Sequence, residues 1–143
     1  PPGVRDARPP VAFGDRIVLA GVGLSPAPVA PGGTLTATLL WEARAPTDLD
    51  HNLFLRLETR GGRTAGQFDG PPLDNSYPTD RWRPGERVVQ VVPLAVAADA
   101  APGMAVLRAG WYDWRTLQRL PVAGDDDAAA DVATVEIAPH AQP

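Results

Sequence analysis

Apolar and polar residues alternate along much of the chain with the two-residue period of strands that bury one face. Over 34–44, Leu35, Ala37, Leu39, Trp41 and Ala43 fall on one side, and Thr34, Thr36, Thr38 and Glu42 on the other. Over 51–60, Leu53, Leu55 and Leu57 point one way and Arg56 and Glu58 the other; Phe54, on the polar side, breaks the pattern. The run 104–113 sends Ala105, Leu107, Ala109 and Trp111 inward and Tyr112 outward, beside Phe54 if the two strands are neighbours. Segment 87–96 is apolar on both faces, and Pro93, which has no amide hydrogen, points to an edge strand or a bulge. Further strands are predicted over 14–24, 63–68, 117–122 and 131–138. Gly21 and Gly23, inside the first of these, signal a bulge or a close backbone approach.

Gly- and Pro-rich turns separate these runs, and no stretch has the 3.6-residue period of a helix. The pattern predicts an all-β fold: a two-sheet antiparallel β-sandwich, immunoglobulin- or fibronectin-like, with seven or eight strands. Its core is expected to contain Leu19, Leu39, Trp41, Leu53, Leu55, Leu57, Val92, Leu107 and Trp111. Residues 1–12, with several prolines and no periodicity, read as an extended linker, 13–138 as the sandwich and 139–143 as a tail.

Composition narrows the chemistry. The 143 residues suit one domain, large enough to fold around its own core. The net charge of −4 argues against a nucleic-acid partner. All 13 basic residues are arginine, which leaves no lysine for Schiff-base chemistry. The absence of Cys removes thiol nucleophiles, cysteine zinc sites and disulfides together. No apolar run is long enough for a membrane span. The chain opens on Pro-Pro-Gly, as expected of a piece of a longer protein.

The segment 66–86, GQFDGPPLDNSYPTDRWRPGE, stands apart as a long loop that carries aromatic and charged residues between two ordinary strands. Two roles compete for it. Tyr77 and Trp82 pin a crossover whose turns are set by Pro78, Pro84 and Gly85, or their faces form a platform for a sugar. On the second reading the ligand-binding residues are Tyr77, Trp82, Trp114, Arg81, Arg83 and Asp69, the arginines suiting an anionic group. Elsewhere the chemistry is sparse. Asp69, Asp74, Asp80 and Asp113 are the candidate acids for glycoside hydrolysis, and no spacing enforces a pair. Asp125, Asp126 and Asp127 are consecutive and diverge in direction, so they read as a solvated turn rather than a metal site. His51 and His140 have no companion ligands for zinc. Gly21-Val22-Gly23 lacks the remainder of a dinucleotide fingerprint, and no cofactor is expected.

Read as a string, LLWEARAP, NLFLRL, the 66–86 loop and APGMAVLRAGWYDWRTLQRLPV resemble a β-sandwich domain that follows the multi-span region of bacterial glycosyltransferases of the dolichyl-phosphate-mannose type. Related surface proteins carry it too. Trp41 matches the end of its first motif strand, and Phe54 and Leu57 match the second, with Arg56 where that family often has His. Asp69, Pro72, Tyr77, Pro78, Thr79, Trp82, Pro84, Gly85 and Glu86 match the loop. Gly110, Tyr112, Asp113, Thr116, Arg119 and Leu120 match the hairpin. The resemblance implies a non-catalytic accessory domain on the extracytoplasmic face of a bacterial membrane or at the cell surface. Its partner would be the parent's membrane domain or a glycan, with sugar transfer left to the membrane-embedded part. A carbohydrate-binding module using the loop aromatics is the alternative.

Overall fold

A computed structural model describes residues 3–46, 50–72 and 77–140, with only the backbone of Arg8 and Pro9 described. Among the described residues eight strands run in chain order: β1 (Arg5–Phe13), β2 (Ile17–Ser25), β3 (Thr34–Ala43), β4 (His51–Glu58), β5 (Thr64–Gly70), β6 (Arg87–Ala95), β7 (Gly103–Asp113) and β8 (Ala130–Ile137). They form two four-stranded sheets, ordered β1-β2-β3-β6 and β5-β4-β7-β8, and every pairing is antiparallel. The chain crosses between sheets after β3, β5 and β6, which makes this the Greek-key sandwich of immunoglobulin- and fibronectin-like domains.

The alternation read from the sequence is the alternation of burial. In β3, positions Leu35 through Ala43 are buried at every second residue, and the nine expected core residues are all buried. β6 lies at an edge, as Pro93 signals, yet it alternates instead of being buried on both faces. Val89 and Val91 face solvent, while the inward Gln90 accepts a 3.3 Å hydrogen bond from Trp41 Nε1. That bond satisfies two polar groups that burial would otherwise leave costly. Four rings run through the core in edge-on contact. Phe13 meets Trp41 at 5.6 Å, Trp41 meets Trp111 at 5.0 Å, and Trp111 meets Trp82 at 5.6 Å. Such T-shaped pairs align a ring's positive edge with its neighbour's negative face.

Two expectations about elements change. Arg5–Phe13, expected within or beside the linker, forms β1 on the edge of the first sheet, where prolines are tolerated because one side of the strand needs no partner. Its pairing with β2 is interrupted between Asp6 and Val11, across the Arg-Pro-Pro stretch. The glycines of β2 receive it: a Cβ on Gly23 would stand 2.5 Å from the Gly3 carbonyl oxygen, so only glycine admits the N-terminal chain there. β2 also bulges between Leu19 and Gly21. The second change is at 117–122, where the expected strand shrinks to two isolated bridges, Tyr112–Arg119 and Val122–Asp125. β8 pairs with β7 only from Gly103 to Ala109, and the bonds Asp113 N–H to Gln118 O (2.9 Å) and Leu120 N–H to Trp111 O (2.8 Å) use part of the β7 edge left over. Pro121, with no amide hydrogen, cannot extend them. Residues 1–2 and 141–143, at the outer ends of the expected linker and tail, lie outside the described residues.

Candidate functional site

Because β5 extends to Gly70, the long loop is a crossover over 71–86, with a 3-10 turn at Thr79–Arg81. Its sequence explains its path. Pro78 stands in extended conformation before the turn, and buried Thr79 accepts a 2.7 Å hydrogen bond at Oγ1 from the His51 amide at the start of β4. Arg83-Pro84-Gly85-Glu86 closes a turn with Glu86 N–H on Arg83 O at 2.9 Å and Gly85 at φ +84°. Proline followed by a glycine of positive φ is the chemistry of a type II turn. Trp82, between these two fixed points, goes inward. It is 4% exposed, its indole N–H donates to the Tyr77 carbonyl at 3.0 Å, and its ring abuts Trp111.

This placement removes Trp82 from the set of residues able to offer a ring face to a ligand. Tyr77 is half-buried, and its hydroxyl donates to Glu86 Oε1 at 2.6 Å. Glu86 also accepts the Arg83 amide at 3.1 Å. The hydrogen bond from Tyr77, followed by that from Arg83, lowers the Glu86 pKa, and the bond to Glu86 is the main cause raising that of the Tyr77 hydroxyl. Arg81 and Arg83 are exposed on the same loop. Trp114 is 47% exposed at the end of β7, with the Arg115 guanidinium 4.8 Å from its ring centroid. Asp69 sits on β5 and accepts a hydrogen bond from Tyr112. The six expected ligand residues therefore divide among a core ring, a surface turn, the end of β7 and the face of the second sheet. Asp74, with Asn75 and Ser76, lies outside the described residues.

What the structure does assemble is a groove of about 430 Å³ on the outer face of the β5-β4-β7 sheet. Phe54 is its floor. The ring points outward from β4 and is nevertheless only 4% exposed, because other side chains cover it. The Arg119 guanidinium lies 4.4 Å and the Arg56 guanidinium 5.5 Å from its centroid, and Tyr112 packs 6.3 Å away. Opposite Phe54 on β7 stands Gly110. A Cβ there would overlap the tip of the phenyl ring and come within 3.0 Å of the Ala128 carbonyl oxygen, so the missing side chain is the space the ring occupies. Gln67, Phe68 and Leu117 complete the walls. Burial is the main cause raising the Tyr112 pKa, followed by its bond to Asp69, and the hydroxyl stays a donor at neutral pH.

The connection 114–129 brings Leu117 and Arg119 over this face. Asp113 starts it, accepting the Arg115 amide at 3.0 Å and the Thr116 hydroxyl at 3.3 Å. Arg108 holds its far end. The guanidinium binds Asp125, Asp131 (2.9 Å) and the Ala129 carbonyl (3.1 Å), so the aspartate-rich turn is an arginine clip. Burial works against the Arg108 charge, but Asp131 and Asp125 outweigh it and raise its pKa. Among the described residues no group of three or more His, Asp or Glu side chains gathers to hold a metal ion.

The groove residues Arg56, Arg119 and Tyr112 were not among the ligand candidates read from the sequence. The signal for them was Phe54: an aromatic on the polar side of an alternating strand requires a cover, and the cover marks the site. No helix among the described residues is long and apolar enough to cross a membrane. No family model matches the chain, and no curated protein matches it.

Proposed function

We propose that this sandwich is a non-catalytic accessory domain of a larger bacterial membrane or surface protein. It stands on the extracytoplasmic side, with a structural or interaction role, beside a lipid-linked sugar transferase as the sequence resemblance implies. The observation that carries the reading is the inward course of 77–86. The segment most specific to the resemblance spends its tryptophan on the core, its threonine on β4 and its glutamate on its own turn. Those are the duties of architecture. Of the four candidate acids, Asp69 accepts a hydrogen bond from Tyr112 and Asp113 holds the turn it starts, while Asp80 is exposed on the crossover and Asp74 lies outside the described residues.

Two measurements test it. A tag inserted at the exposed Gly61-Gly62 hairpin of the full-length parent should react with an impermeant label while the inner membrane is intact. Labelling only after lysis overturns the placement. Deleting 13–138 from the parent should lower its assembly or abundance while each remaining molecule still transfers sugar. A D69N or D113N variant that assembles normally and loses all turnover overturns the non-catalytic reading. The carbohydrate-binding alternative retains Trp114, Arg81 and Arg83 as exposed groups but not Trp82. Oligosaccharides that quench the fluorescence of W114F, and not that of W82F/W114F, would restore it.

A further inference from the structure

Three arginines share the outer face of the second sheet and are treated differently. Arg108 has its charge balanced by Asp125 and Asp131. Arg56 and Arg119 form no ion pair among the described residues. Among the described residues the Arg119 guanidinium donates to the Asp127 backbone carbonyl, at 2.8 Å, and both guanidiniums stand over one phenyl ring. A chain of net charge −4 thus lines one groove with two arginines that have no ion-pair partner among the described residues, beside a single carboxylate, Asp69, that accepts a hydrogen bond from Tyr112. An anion in the groove would meet the charge of both, and a guanidinium fork suits a carboxylate.

The rest of the lining identifies what carries that carboxylate. Tyr112, Asp69 and Gln67 present donors and acceptors beside the arginines, and Leu117, 70% exposed, adds an apolar wall. Acceptors together with donors, around a small apolar surface, match a ring bearing hydroxyls and C–H faces. An acidic peptide is the weaker fit. Extended peptides bind through main-chain hydrogen bonds at a sheet edge, whereas this groove lies on a sheet face, where the β4 amides are already paired with β5 and β7. The volume falls in the range of small-ligand sites. We propose that the groove binds an acidic polysaccharide, Arg56 and Arg119 holding the carboxylate of one sugar unit while Tyr112, Asp69 and Gln67 meet its hydroxyls. The proposal is independent of the cellular placement above and concerns a different surface from the loop.

The test uses the 143-residue chain and α-1,4-linked trigalacturonate, with its neutral methyl ester and hexaglutamate as controls. Arginine Nε–Hε resonances are followed by NMR during titration of the wild-type protein, which avoids any question of folding. Arg56 and Arg119 should shift with trigalacturonate and not with the ester, while Arg108 stays in place. R56Q and R119Q should each weaken binding about tenfold, the scale of one lost charge-assisted contact. The K variants, which keep the charge and much of the cover over Phe54, should fall between. The proposal is overturned by no shift at millimolar trigalacturonate, by equal response to the ester, or by shifts at Arg81 and Arg83 instead. Hexaglutamate binding at Arg56 and Arg119 as tightly as the sugar also overturns it, in favour of an acidic peptide.

Discussion

The connections 71–86 and 114–129 are equally long, and each leaves the end of a strand in the second sheet, yet they are secured in opposite ways. The first crosses to the other sheet and drives Trp82 into the core between them. The second returns to its own sheet, turns outward and lays Arg119 on Phe54, with Arg108 clamping its aspartates. Burial of a large ring fixes one, and charge over an aromatic fixes the other. Hydrophobic anchorage of this kind is worth several kcal/mol, while partly exposed ionic anchorage is weaker and screened by salt. The crossover should therefore govern global stability, and the outward connection should be the part that yields to a ligand.

Replacing Trp82 by alanine breaks the stronger side and should have the largest effect. Loss of a buried tryptophan costs about 3–5 kcal/mol, or about 10–16 °C in Tm for a domain of this size. Denaturant unfolding followed by circular dichroism measures it, and a loss below about 1 kcal/mol would place Trp82 outside the core. G110A attacks the floor of the outward connection. The new methyl displaces the Phe54 ring, and overpacking of this type costs about 1–3 kcal/mol. The cost should fall sharply when Phe54 is also alanine, because the two share one space. Equal costs in both backgrounds would mean that the glycine serves another purpose.

R108Q removes the clip without touching the floor. About 1.5 kcal/mol is expected from its charged hydrogen bonds, reduced from the buried value because Asp131 is largely exposed. The distinctive readout is local: proteolysis within 114–129 should accelerate, and 0.5 M salt should narrow the difference between R108Q and the parent. Cleavage appearing first in 71–86 would reverse the ranking of the two connections.

How far each connection was legible follows from how local its determinants are. The strands were readable because alternation is a property of neighbours: Leu35, Leu39 and Trp41 need no distant information to declare a face. The turn at Pro84-Gly85 was readable for the same reason. The direction of Trp82 was not, since a loop tryptophan has no register, and its burial is decided by Trp111 on a strand distant in sequence. Arg119 over Phe54 is a contact of the same nonlocal kind. The prolines of residues 1–12 concealed β1, because an edge strand needs fewer amides than a linker reading supposes. Gly21 and Gly23 did announce a close approach, but they could not name the N-terminal segment that makes it.

The smallest effect tests whether the crossover carries an ionic element of its own. Glu86 in the folded protein has a depressed pKa, first through the Tyr77 hydroxyl and then through the Arg83 amide, so its contribution is present above the ordinary carboxylate value of 4.5 and is lost as pH falls. Tyr77 has a raised pKa, chiefly through the bond to Glu86, so its contribution is present below 10.0 and is lost as pH rises through the folded value. A plot of Tm against pH should consequently droop at both ends for the parent, in part through this pair. Y77F removes the hydroxyl and keeps the ring, which should flatten the alkaline wing and weaken the acid one by lowering Tm modestly near neutrality, where the pair is intact, and hardly at all at the two extremes. A large loss at pH 7 with unchanged wings would show that the Tyr77 hydroxyl serves the fold through some contact other than Glu86. The crossover would then depend on polar anchorage as the outward connection does.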